Sequence, residues 1–339
     1  MSIVSEEEFR PPWWLRGGHR QSILVSMPWR RSSIERRTLT VRASAREWLI
    51  DCGDGVRLQA WHSSPAARGR ALGARVAVLM HGWEGSAESL YLLSAAQTLF
   101  DAGFEVIRLN FRDHGETHHL NADLFHSCRL PEVVAAVCQI QSAMPDKPLH
   151  LVGFSLGGNF ALRVAASVDQ SGLRVARTFA VSPLLDPQRT LLELEKGSPL
   201  YHKYFVLKWG RSLLKKQAAW PDQYQFGPVM RSGNLRKMTG ELVRQHTQFP
   251  DLDSYLAGYA LTGQRLARLS TPATILTAKD DPIVAASDLN KLAYAGCLRV
   301  RLTDTGGHCG YLTSLTGPSW ADRLLLEEFS TPLSPAGNT

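Results

Sequence analysis

The sequence predicts an α/β protein: a mostly parallel, twisted sheet with helices on both faces and an inserted helical cap. Three observations carry that prediction. Short apolar runs alternate with helix-length segments through residues 75–181 and again through 273–329. The rhythm is interrupted over 187–264 by a stretch rich in aromatic and basic residues. One strand-to-helix junction holds a serine between glycines.

The elements follow in chain order. Residues 1–46, with Pro11-Pro12, Trp13-Trp14 and Gly17-Gly18, read as an irregular extension packed on the core. Glu47–Cys52 and Val56–His62 flank Gly53-Asp54-Gly55, a hairpin signal. A loop of small and basic residues spans 63–75. Arg75–Met80 is a short apolar run and reads as a buried strand. Ser86–Ala102 reads as a helix, Phe104–Asn110 as a strand, Leu130–Ala143 as a helix and Leu149–Gly153 as a strand. Asn159–Val168 follows as a helix and Arg177–Val181 as a strand. After the 187–264 insertion come a strand at Ala273–Ala278, a helix at Ser287–Tyr294, a strand at Leu298–Leu302 and a helix at Trp320–Phe329. Core residues are therefore expected over 47–186 and 265–330, with a flexible tail at 331–339.

The chain has 339 residues, 44% hydrophobic and 20% charged, enough apolar content for a large core and far from a disordered composition. No apolar run reaches the ~18 residues that a membrane span needs. The acidic start MSIVSEEEFRPP has no apolar stretch of the signal-peptide kind. Five cysteines form no C-x-x-C pair and leave an odd count, which favours a reducing, cytoplasmic setting. The net charge of +7 is uneven. Residues 1–46 carry nine Lys/Arg against four Asp/Glu, residues 187–250 eleven against four, and the rest is net acidic. These basic segments suit either ordinary solvated surface or contact with an anionic membrane surface at the inner face of the membrane. A nucleic-acid partner would rest on charge alone and is not expected.

The sharpest signal is Gly153-Phe154-Ser155-Leu156-Gly157, after an apolar strand and before a helix. In that context G-x-S-x-G forms a tight, strained turn that lifts the serine above the sheet edge, with a helix N-terminus aimed at the same point. A hydroxyl needs a base to become a nucleophile. In the α/β-hydrolase fold that this turn signals, an acid and then a histidine follow the serine. Ala278-Lys279-Asp280-Asp281-Pro282-Ile283-Val284 follows a strand and makes Asp281 the candidate acid, with Asp280 the alternative. His308, in Thr305-Gly306-Gly307-His308-Cys309-Gly310, is the candidate base. Backbone N–H groups of Leu156, after the nucleophile, and of Trp83, in His81-Gly82-Trp83-Glu84-Gly85, are the candidate oxyanion donors.

With these residues assembled, the chain resembles the YheT-like family of α/β-hydrolases, a group of predicted esterases related to lipid-acting hydrolases in animals. Besides the three catalytic segments, Phe9-Arg10-Pro11-Pro12-Trp13-Trp14-Leu15 and Gly18-His19-Arg20-Gln21-Ser22 resemble that family's N-terminal aromatic-Pro segment and His-x-Gln-Thr motif, with Ser22 where Thr is usual. Asn110-Phe111-Arg112-Asp113-His114-Gly115 resembles its Asn-Phe-Arg-Gly/Asp loop. The resemblance covers roughly residues 9–330. It implies the hydrolase fold and a serine mechanism on a small-molecule ester, and it identifies no substrate. Some relatives carry an N-terminal membrane anchor, which this sequence is not expected to have.

Two weaker signals remain. Residues 113–128 hold His114, His118, His119 and His126 with two Asp, a Glu and a Cys, but in no metal-binding spacing, and no metal is expected. His118 and Asp123 form His-x4-Asp, a spacing found in some acyltransferases, so acyl transfer to an alcohol stands beside hydrolysis. No dinucleotide or phosphate-loop motif occurs, and no cofactor is expected. A non-catalytic binder that uses the basic segments on membranes is the reading from another class.

Overall fold

The computed structural model describes residues 4–6, 9–69 and 73–330. The tail expected at 331–339 and part of the 63–75 loop lie outside the described residues. The strands are β1 (Val4–Glu6), β2 (Ala45–Asp51), β3 (Arg57–Ser63), β4 (Arg75–Met80), β5 (Phe104–Leu109), β6 (Leu149–Phe154), β7 (Val175–Val181), β8 (Ala273–Ala278) and β9 (Leu298–Thr303). They form one sheet in the order β1-β9-β8-β7-β6-β4-β5-β3-β2. Only the β2–β3 hairpin and its pairing with β5 are antiparallel. The helices are α1 (Gly18–Leu24), α2 (Pro28–Arg37), α3 (Leu39–Ala43), α4 (Leu90–Asp101), α5 (Leu130–Ala143), α6 (Leu156–Ala165), α7 (Val168–Ser171), α8 (Pro187–Lys196), α9 (Pro199–Ala219), α10 (Gly227–Met230), α11 (Leu235–His246), α12 (Leu252–Gly258) and α13 (Trp320–Ser330).

The unbroken apolar runs of the central strands follow from burial on both faces. In β4, Val76, Val78 and Met80 join one core with α5 and α6, while Ala77 and Leu79 join the other with α4 and α13. The next strand after β4 lies on one side of it and β6 lies on the other. That reversal opens a crevice at the carboxyl ends of β4 and β6, where open α/β sheets place their ligands.

Four local expectations need correction. Residues 1–46 are not irregular: β1 pairs parallel with β9, and α1 to α3 are short helices. Their pattern is hidden because each buries only a few residues, some of them polar, such as Gln21 and Thr38. The helix after the serine begins at Leu156 rather than Asn159, because the Gly157-Gly158 pair that argues against a helix lies inside it. The first long helix starts at Leu90, the preceding residues forming a turn closed by Ser86 N–H to Ser89 Oγ. The segment near Ser287–Tyr294 is a single 3₁₀ stretch, Ala286–Lys291.

Residues 187–258 run through five helices, α8 to α12. The longest, α9, is pinned to the histidine-rich loop after β5. Lys216 is fully buried, and its Nζ donates to Asp113 Oδ1 (2.8 Å), Asn121 O (2.6 Å) and Asp123 O (3.0 Å). Trp220 Nε1 donates to His118 O, and Tyr224 Oη to Ala122 O. A buried ammonium is tolerated because every one of its N–H groups is used. Lys216→Met strands the Asp113 carboxylate and is expected to destabilise the fold by about 3–5 kcal/mol. Adding Asp113→Asn should recover most of that loss, as read by urea denaturation of the single and double variants.

Candidate active site

The site is built where the backbone is strained. Seven non-glycine residues have positive φ among the described residues. Asp54 sits in the hairpin turn. The other six (Glu84, Asp113, Ser155, Ser182, Cys309 and Tyr311) lie in the loops that leave the carboxyl ends of β4, β5, β6, β7 and β9. Such conformations cost about 1–3 kcal/mol each and persist where surrounding contacts over-determine them.

Ser155 turns β6 into α6 at φ 53° and ψ −118°. The flanking glycines are obligatory for steric reasons. A Cβ on Gly153 would lie 2.2 Å from Gly157 O, and one on Gly157 would lie 2.3 Å from Met80 O. The turn is held by Ser155 N–H to Val181 O and by Leu184 N–H to Ser155 O. The buried Asn159 amide donates to Leu184 O and Tyr259 O, tying α6 to the exit of β7 and to the end of α12.

The structure brings Ser155, His308 and Asp281 together. Ser155 Oγ lies 2.9 Å from His308 Nε2, and His308 Nδ1 lies 2.9 Å from Asp281 Oδ2. The Asp281 side chain is fully buried, and its Oδ1 accepts from Ile283 N–H and Val284 N–H. Asp280, the alternative acid, faces the other way. Its Oδ1 accepts from Gly307 N–H (2.8 Å) and its Oδ2 from Thr305 Oγ1 (2.7 Å), so it clamps the loop that carries His308. Ser182 Oγ accepts from Cys309 N–H at 3.1 Å.

The N-terminal segment completes this clamp. Ser22 Oγ accepts from His308 N–H at 2.7 Å and donates to Gly18 O at 2.6 Å. The fully buried Gln21 side chain accepts from Leu312 N–H and donates to Leu15 O and Leu312 O. Gly18 packs so closely on β8's exit that a Cβ there would lie 1.8 Å from Asp280 O. The sequence marks Asp280 only as the alternative acid, not as a clamp of the His308 loop, and it does not mark Ser22, Gln21 or Ser182 as parts of the site. Gln21 and Ser22 did carry a signal, in the His-x-Gln-Ser motif, but the motif names no partner.

The loop after β4 abuts the serine: a Cβ on Gly82 would lie 3.2 Å from Ser155 Cβ. Gly82 N–H is already taken by Tyr91 Oη (2.9 Å), which leaves Trp83 as the next backbone N–H of this turn. His81 shapes it. Its Nε2 accepts from Phe111 N–H, so Nδ1 carries the proton and donates to Gly82 O at 2.8 Å. Burial lowers the His81 pKa to about 4, in keeping with a neutral ring. Leu156, the other candidate donor, opens α6, where backbone N–H groups have no intrahelical acceptor. The Trp83 indole stacks on Phe205 and meets Trp209 edge-on, both at 5.2 Å and both from α9. Burial pushes the neighbouring Glu84 carboxyl up to about 7 against the pull of Lys208.

The weaker signals do not converge on a site. His118 Nε2 lies 2.9 Å from Ser212 Oγ, while Asp123 points outward to Arg129, so the His-x4-Asp spacing assembles no pair. His114 is buried against His81, Phe111 and Phe125, and His119 is exposed. Among the described residues no three His, Cys, Asp or Glu side chains are grouped to hold a metal. All five cysteines are free thiols.

Comparison with known proteins agrees with the fold. The profile of the α/β hydrolase fold family matches residues 76–315. The chain is 27% identical over 296 residues to the Escherichia coli (strain K12) protein named "Putative esterase YheT", covering 83% of each. It is 24% identical over 297 residues to human Protein ABHD15, covering 84% of this chain and 62% of that one. In three dimensions it superposes on the carboxylesterase CesB of Bacillus subtilis with a TM-score of 0.54 at 13% identity, covering 90% of this chain and 98% of CesB. At that identity the likeness speaks for the fold alone.

If Ser22 positions His308, losing its hydroxyl should slow the chemistry at Ser155 and leave the fold intact. Ser22→Ala is expected to lower the rate at which a fluorophosphonate reacts with Ser155 by about 10–100-fold, with an unchanged thermal midpoint. Ser22→Thr, which keeps the hydroxyl, should restore the rate, whereas a purely structural role would make both variants equivalent.

Proposed function

The chain belongs to the α/β-hydrolase fold family, and we propose that within it the protein is a serine hydrolase of carboxylic esters. The observation that carries this reading is the unbroken line from Ser155 Oγ through His308 to the buried Asp281, with both contacts at 2.9 Å. Ser155 attacks the ester carbonyl carbon while its proton passes to His308 Nε2. Asp281 holds the Nδ1–H and stabilises the imidazolium. The oxyanion that forms is held by the N–H groups of Trp83 and Leu156. Collapse breaks the ester C–O bond, and His308 returns the proton to the leaving alcohol. Water, giving its proton to His308, then attacks the acyl carbonyl. Collapse breaks the bond to Ser155 Oγ as His308 reprotonates it, releasing the carboxylic acid.

The ring cluster of Trp83, Phe205 and Trp209 beside the oxyanion loop favours an apolar acyl chain, hence a carboxylesterase or lipid esterase. No helix among the described residues is long and apolar enough to cross a membrane. The five free thiols fit a reducing, cytoplasmic setting.

Ser155→Ala is expected to lower kcat on a p-nitrophenyl ester by at least about 10³-fold, and Asp281→Asn to lower kcat with little change in KM. Asp280→Asn should keep more activity than Asp281→Asn, since it changes the loop clamp and not the ring partner. Full turnover by Ser155→Ala in steady-state assays overturns the assignment.

A further inference from the structure

Helix α9 has two apolar faces and only one is covered. Inward, Tyr201 and Leu213 are buried and Phe205 and Trp209 pack on Trp83. Outward, Leu200, Tyr204, Leu207 and Leu214 recur at spacings of four, three and seven, which places them on one side of an α-helix. Each is 45–56% exposed. Isolated exposed hydrophobics are ordinary, but an aligned row on a single 21-residue helix is not.

The charge that the helix itself adds around this row is positive. Arg211 occupies the vacant position within it, and Lys203 stands beside it on a helix that itself holds no Asp or Glu, while Lys215 is paired with the exposed Glu116 and Lys208 donates to Glu84 O. The start of α9 also meets the N-terminal segment. His19 Nδ1 lies 3.0 Å from Tyr201 Oη with the rings stacked, which joins α1 to the start of α9. Just before α1 stand Trp13, 77% exposed, and the exposed Trp14 and Arg16, and α1 itself carries the exposed Arg20. Leucines to enter an acyl layer, aromatic rings for the headgroup boundary and an excess of cations together describe a helix that lies in an anionic lipid interface. A protein partner would have to supply an acidic surface with an apolar seam; a bilayer containing anionic phospholipid supplies both everywhere.

We propose that the outer face of α9, together with the exposed Trp13–Trp14 turn that leads into α1, docks the protein on anionic phospholipid surfaces. Docked in this way, α9 presents its outer face to the lipid while Phe205 and Trp209 on its inner face pack on Trp83, so an ester leaving the membrane would meet the site at this helix. The inference goes beyond the esterase reading and does not rest on it, because docking requires no turnover.

The test is co-sedimentation of the full-length protein with phosphatidylcholine vesicles with and without phosphatidylserine. Binding is expected to the anionic vesicles and to fall as salt rises. The Leu200→Ser/Leu207→Ser double variant should bind at least about 10-fold more weakly with an unchanged thermal midpoint, and Ser155→Ala should bind as the wild type does. Absence of wild-type binding to anionic vesicles, or undiminished binding by the double variant, overturns the proposal. So does a dimer in analytical ultracentrifugation that the double substitution abolishes without any vesicle binding, since the row would then belong to a second copy of the chain.

Discussion

The contact on which the rest of this structure depends is the hydrogen bond between Ser155 and His308. The two residues are 153 positions apart and leave different strands, β6 and β9, that are not neighbours in the sheet. Nothing local in the chain brings an imidazole nitrogen to 2.9 Å from that hydroxyl, so each partner is fixed by its own supports. The serine side is rigid by covalent economy: a strained turn, two glycines with backbone against them, and a helix held by a buried asparagine. The histidine side is a glycine-rich loop, and it is held by hydrogen bonds from three directions, through Asp280 and Asp281 on one side, Ser182 on another and Ser22 on the third.

The adjacent aspartates divide the work. One carboxylate faces the imidazole and two backbone N–H groups, while the other faces the loop backbone and a threonine hydroxyl. Exchange of the two roles would require the turn after β8 to rotate, which the hydrogen bonds of both carboxylates oppose. The Ser22 contact extends this logic outside the family's matched core, which begins at residue 76. A helix that adds nothing to the sheet supplies the hydroxyl on which the His308 backbone rests. Strain in the five loops, the buried polar clamps and the reversal of strand order thus meet at one edge of the sheet, and a site held in this way needs little reorganisation when charge develops on a bound ester.

How much of this could be read in the sequence depended on the range of the interaction. The elbow was legible because its constraint is local: Gly153 and Gly157 are required by atoms within a few residues and by one neighbouring strand. Asp281 and His308 were legible because chain order and flanking strands restrict them. The central strands announced themselves through burial on both faces. Ser22 and Gln21 did not, because their partners lie 286 and 291 positions away and a hydrogen bond at that distance leaves no periodic trace. The short helices before residue 45 are hidden for a related reason, since one or two buried residues hold each of them (Gln21 in α1, Arg30 and Ile34 in α2, Val41 in α3) rather than an apolar stripe. The start of α6 was misplaced because the glycines that make the turn possible also weaken the helical pattern.

The most direct test of the central claim is chemical. The folded protein is treated with a fluorophosphonate, digested, and the modified peptide is sequenced by mass spectrometry. The account predicts a single adduct, on Ser155. An adduct on another serine, or none on a protein whose thermal midpoint shows it to be folded, would contradict the claim that His308 activates Ser155.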